Sequence, residues 1–171
     1  MIEQQQRGFT LVEMVAALTV LALLAAIVGP ILTNGVRAYN DSAAAVHTLS
    51  KLRVASERLV REIREMRRDG SGNYDISLPL SSNSLQFVKT DAEQVTVSAA
   101  APLVTLAYAS IGGTPVLSDE VSALSFSYFQ ADGSLPANDN SDVAFIEFEL
   151  VLTHLGNNYA QRARVALRNQ P

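Results

Sequence analysis

Hydrophobic positions change their spacing along the chain, and each change marks a different element. From Met14 to Val28 only Thr19 is polar, and the apolar run resumes after Gly29-Pro30 through Leu32. With Phe9 to Val12 added, this run is long enough to cross a hydrocarbon core of about 30 Å as a helix. Beyond it, "VRAYNDSAAAVHTLSKLRVASERLVREIREMRRDG" predicts a helix that continues but becomes amphipathic. Ala45, Leu49, Leu52, Leu59, Val60, Ile63 and Met66 fall within an arc of about 120° at helical spacing. Glu57, Arg61 and Glu65 are placed for i,i+4 pairing, and Gly70 is the expected stop. After that the period becomes two.

Six strands are expected, at 84–90, 93–99, 103–110, 121–130, 142–155 and 158–169, where Val, Leu, Phe and Tyr partly alternate with polar residues. Ser81-Ser82-Asn83, Gly112-Gly113, Asp132-Gly133 and Gly156-Asn157-Asn158 read as the turns between them. Short turns between successive strands imply pairing that is mainly antiparallel. The predicted class is α+β: a long N-terminal helix, apolar and then amphipathic, packed on a mainly antiparallel β-sheet head.

Charge sharpens this division. Residues 37–68 carry eight Lys/Arg against four Asp/Glu, a balance of +4, whereas residues 69–171 carry four against eleven, a balance of −7. An acidic head is poor material for general nucleic-acid binding and suits contacts between subunits. There is no cysteine, which excludes disulfides and thiolate metal sites. No G-x-S-x-G, H-E-x-x-H or Walker pattern occurs, and the two histidines, His47 and His154, have no cluster beside them, so no enzyme activity is expected.

Two polar clusters hold candidate sites. "DGSLPANDNSD" gathers Asp132, Asn138, Asp139, Asn140 and Asp142. Oxygen ligands on a loop suit Ca²⁺, the one cofactor the sequence leaves open, although the spacing is not that of an EF-hand and the same residues build ordinary hairpin loops. "QRARVALRN" places Arg162, Arg164 and Arg168 in phase on one strand face, where they would track phosphates or guard a sheet edge. The acidic balance of the head weighs against nucleic acid.

One acid breaks the apolar run. Glu13 lies in "RGFTLVEM", and a carboxylate near membrane depth needs a partner or a purpose. The flanks are wrong for a cleaved secretory signal, because the small residue Gly8 precedes the apolar core instead of following it. These residues resemble the processing site of type IV pilins and of the pseudopilins of type II secretion. Looser likeness in "SERLVREIREM", "LSFSYFQADG" and "RVALRN" points to J-type minor pseudopilins and large minor pilins, including those of mannose-sensitive haemagglutinin pilus systems.

The resemblance implies a leader at 1–8, a membrane and filament-core segment at 9–32, an amphipathic segment at 33–70 and a periplasmic head at 71–171. It implies that prepilin peptidase cuts between Gly8 and Phe9 and that the Phe9 amine is methylated. Glu13 would then pair with the Phe9 amine of a neighbouring subunit during assembly on an inner-membrane platform. Gly29 and Pro30 would break or loosen the helix. The expected partners are other pilins or pseudopilins in a helical filament. The alternatives are a membrane-tethered periplasmic binding module that never assembles and a minor pilin for DNA uptake.

Overall fold

The computed structural model describes residues 10–77 and 79–167. One long helix, α1 (Leu11–Arg64), is followed by seven strands: β1 (Ser84–Val88), β2 (Gln94–Ala100), β3 (Leu103–Tyr108), β4 (Val116–Ser118), β5 (Val121–Phe129), β6 (Phe145–His154) and β7 (Asn157–Ala166). The chain divides into two units, Met1–Ala44 and Ala45–Pro171.

In the first unit, every described residue up to Ala43 is exposed. The part up to Leu32 is apolar all round and has no face to turn inward, so its side chains stand out on all sides.

The second unit has a core. Leu52, Ala55, Leu59 and Ile63 recur at intervals of three and four, which keeps them on one helix face, and Met66 just past the helix end is buried with them. They join Phe87, Val97, Val104, Phe126, Ile146, Phe148 and Leu150 of the strands in a single cluster. Fully burying one such side chain contributes about 1.5–3 kcal/mol relative to leaving it exposed. The buried face is rotated from the expected one. Leu49 is exposed and Ala45 half-buried, while Thr48, Ser56 and Glu62 are buried. The helix also stops at Arg64, short of Gly70, because the chain turns there into isolated bridges outside the strands: Met66 pairs with Lys89 and Arg68 with Tyr74.

The strands form two antiparallel sheets in place of one, ordered β1-β2-β3-β4 and β5-β6-β7. β4, which the sequence reading omits, is three residues long, too short to show a period. Between the sheets, Glu120 adopts a positive φ of 59°. The register then shifts between Val121 and Ala123, so that both Ser122 and Ala123 are exposed before alternation resumes at Leu124. A bulge of this kind re-aims the strand, which explains why β5 alternates imperfectly in the sequence.

The hairpin joining β6 and β7 turns at Leu155-Gly156, one residue earlier than expected. His154 pairs with Asn157, and both intervening residues have positive φ, 50° and 80°. That is the two-residue I′ geometry that matches strand twist.

Candidate functional site

The N-terminal segment starts from a cap. Thr10 precedes α1, its carbonyl accepts the first helical bond from Met14 N–H at 3.1 Å, and its Oγ1 accepts the Glu13 N–H at 3.2 Å. Thr10-x-x-Glu13 is therefore a capping-box sequence with Glu13 at the third helical position. A carboxylate in the first turn also complements the positive end of the helix dipole. Sequence reasoning missed Thr10, although a threonine three residues before a glutamate at the head of an apolar run was the signal. Gly8 and Phe9, the expected cleavage and methylation residues, lie outside the described residues.

Past the cap, Leu11, Leu21, Leu24, Ile27 and Leu32 are all more than half exposed, and α1 is long and apolar enough to cross a membrane. The two hydroxyls of this stretch are turned back on the helix: Thr19 Oγ1 donates to Ala16 O at 2.8 Å, and Thr33 Oγ1 to Pro30 O at 3.0 Å.

α1 continues through Gly29 and Pro30, the residues expected to break or loosen it. Pro30 removes one N–H donor, but the turns on either side keep their own bonds. Thr33 Oγ1 also approaches Gly29 O at 3.2 Å, tying the turn after the proline. Hydroxyl bonding of this kind accompanies proline in apolar helices.

The candidate calcium loop is held together by its own side chains. Asp132 Oδ1 accepts the N–H groups of Ser134 and Leu135 at 2.9 and 3.0 Å, and Asp139 Oδ1 accepts the N–H and the hydroxyl of Ser141. These bonds hold both carboxyls below the usual carboxylate range, Asp132 chiefly through Ser134 and Asp139 chiefly through the Ser141 hydroxyl. Among the described residues, no group of three or more His, Cys, Asp or Glu is placed to hold a metal ion, so Asp132, Asp139 and Asp142 do not converge. Asn138 is exposed, and Asn140 Oδ1 is buried without a hydrogen-bond partner.

The arginines of β7 face acids across the ladder. Arg164 sits opposite Glu147 and bonds it at 2.9 Å, donates to Gly133 O at 2.8 Å and stacks over the Phe129 ring at 4.4 Å. Arg162 lies 3.4 Å from Glu149 and 3.6 Å from Glu147. Both arginines are therefore paired with acids of the neighbouring strand while their side chains stay partly exposed. Arg168 lies outside the described residues.

The sequence reading also missed a charged network in the core. Glu62 is 2 % exposed; its Oε1 accepts from Tyr108 Oη at 2.9 Å and pairs with Arg58 at 2.9 Å. Lys89 Nζ lies 3.2 Å from Glu62 Oε2, as an ion pair without hydrogen-bond alignment, and 2.6 Å from Glu65. Glu65 first, and then Glu62, hold the Lys89 ammonium well above the ordinary lysine value, against the cost of burial. The expected pairs of Arg61 with Glu57 and Glu65 are replaced by Arg53–Glu57 and Lys89–Glu65. A second, more exposed cluster joins Lys51 to Asp119 and Glu120, and Glu120 to His154 at 2.6 Å.

A long apolar N-terminal helix carried into a head of antiparallel sheets is a pilin-like α+β architecture. Residues 4–29 match the prokaryotic N-terminal methylation motif. That motif marks a type IV pilin- or pseudopilin-like protein, of the kind that prepilin peptidase processes and that assembles with other pilins. The single apolar helix agrees with anchorage in a membrane. Sequence comparison finds no match among curated proteins.

Proposed function

We propose that this chain is a minor pilin or pseudopilin, a non-enzymatic subunit that enters, and starts or caps, a type IV pilus or a type II secretion pseudopilus. The carrying observation is the methylation motif at 4–29, set on a helix whose apolar side chains are exposed on every side. Such a surface suits lipid first and neighbouring helices afterwards. In this reading the N-terminus faces the cytoplasm, the head lies in the periplasm, and an inner-membrane platform drives assembly. Cleavage between Gly8 and Phe9 leaves a methylated amine, and Glu13 of one subunit meets the amine of the next, so that two groups costly in lipid satisfy each other and set register.

The first test is the intact mass of protein purified from membranes of a host with prepilin peptidase. Loss of Met1 through Gly8 plus gain of one methyl group is expected; an uncut chain would favour the tethered periplasmic module. The second is filament incorporation of Glu13 variants. Glu13→Asp should retain more incorporation than Glu13→Ala or Glu13→Val, and equal incorporation of all of them would defeat the pairing.

A further inference from the structure

Among the described residues the two sheets have four edges, of which two are covered by other segments and a third is very short. β1 is covered by the segment after α1, through Ser77 N–H to Gln86 O at 2.9 Å and Val88 N–H to Asp75 O at 3.0 Å. β4 is only three residues long. β5 is met by loops, through Phe126 N–H to Ser82 O at 2.7 Å and Ala137 N–H to Tyr128 O at 2.9 Å.

β7 differs. It runs for ten residues and, among the described residues, pairs with β6 alone. Leu167 N–H donates inward to Ala144 O, so by alternation the odd-numbered residues of β7 face β6. The N–H and C=O groups of Asn158, Ala160, Arg162, Arg164 and Ala166 therefore line the open edge. Natural edges are commonly blunted by charge. Here the charges of Arg162 and Arg164 are spent on Glu147, Glu149 and Gly133 instead of guarding the edge.

Beside this edge, α1 and β7 enclose a groove of about 440 Å³, lined by Ser56, Glu57, Val60, Arg61, Arg64 and Glu65 of the helix and by Gln161 and Ala163 of the strand. Ser56 is 1 % exposed, and its Oγ has no hydrogen-bond partner. Glu57 is paired with Arg53 and Glu65 with Lys89. Among the described residues, Arg61 and Arg64 have no such partner, so the groove presents two unpaired guanidiniums over a small apolar floor, beside two glutamates already matched by other cations.

We propose that the β7 edge and this groove bind an extended acidic segment of a partner polypeptide as an added strand. Its backbone would continue the ladder, and the side chains on its inner face would alternate between small apolar groups over Val60 and Ala163 and carboxylates reaching Arg61 and Arg64. Strand addition takes affinity from main-chain bonds and specificity from side-chain pockets. The site lies within Ala45–Pro171 and is independent of the N-terminal reading.

The test uses the full chain in detergent micelles and a fluorescent peptide of about eight residues, an ordinary strand length. Threonine occupies every second position of the peptide, with valine and glutamate taking turns between. Saturable binding is expected, weakened at least about tenfold when lysine replaces glutamate in the peptide and when Arg61→Glu and Arg64→Glu are combined in the protein. Both arginines are exposed, so the fold should stand. Ala160→Pro, which removes an outward N–H at an exposed edge position, should weaken binding as much without lowering the unfolding midpoint. Bound peptide should slow amide exchange at Asn158, Ala160, Arg162, Arg164 and Ala166. Absence of binding overturns the proposal. So does equal binding of the lysine peptide, or of one N-methylated at alternate amides. Self-association that Ala160→Pro abolishes, in a chain that ignores the peptide, would make a second copy the occupant and overturn it too.

Discussion

Leu21 and Leu59 are both leucines on α1, yet Leu21 is 64 % exposed and Leu59 is 0 % exposed. The more apolar part of the helix is the exposed one, and the part rich in charge is the one that builds a core. Burial here follows from asymmetry and not from apolar content. A helix stretch buries a side when that side differs from the others, as at Leu52, Leu59 and Ile63, and stands open when all sides are alike, as from Leu11 to Leu32. The open stretch is suited to hydrocarbon or to other helices, the one-faced stretch to water on one side and sheets on the other.

Truncation should separate the two most sharply. Leu59→Ala is expected to destabilise the head by about 4 kcal/mol, through lost transfer energy and the cavity left behind. Leu21→Ala should leave head unfolding unchanged. Urea unfolding of the full chain in micelles, followed by tyrosine fluorescence, reads the head, because four of the five tyrosines lie beyond residue 45.

A smaller loss, about 2 kcal/mol, is expected for Glu62→Ala, which removes the acceptor of the Tyr108 hydroxyl and one of the two carboxylates at Lys89, while Glu65 stays beside the ammonium. Arg58 is 40 % exposed at its side chain and can return to water, which moderates the effect. Glu13→Ala, a change to the other acid of α1, should leave the same unfolding curve untouched.

Next in size is an alkaline effect confined to the head. Burial pushes the Tyr128 hydroxyl up to about 12, where it donates to Ser81 O at 2.8 Å. Its unfolded value is about 10, so a raised folded value means stability is intact below pH 10 and lost as pH climbs toward the folded value. Tyr128→Phe should cost about 1 kcal/mol at pH 7 and narrow that gap above pH 10, as equilibrium unfolding across the range would show.

The smallest expected effect is a gain. Leu155→Asn should stabilise the head by about 0.5–1 kcal/mol, since asparagine accepts the positive φ that Leu155 adopts in the β6–β7 turn.

Much of this division was legible in the sequence, because an all-apolar run, a one-sided helix and alternating strands each have their own period. What escaped it has particular causes. Glu62 reads as a solvated charge beside Arg58, but the spacing 52, 55, 59, 62, 66 passes through it, and that phase was the available signal. The division into two sheets turns on a bulge near Val121 and a positive φ at Glu120, features of backbone geometry that leave little trace in composition. Pro30 reads as an interruption by residue type, yet losing one donor in a helix with continuous bonding on both sides does not stop it. The acids of the 132–142 loop and the arginines of β7 were visible as clusters, but their partners come from turns and cross-strand register, which clustering cannot reveal.

The uniform surface between Leu11 and Leu32 has a consequence for orientation. A cylinder that is apolar at every angle carries no charge to fix its rotation about its axis, so electrostatics alone would leave the azimuth of each copy open. Thr19 does not lift that degeneracy, because its hydroxyl is occupied by Ala16 O. Glu13 is the one charge on this stretch, and with it an otherwise uncharged rod acquires a front.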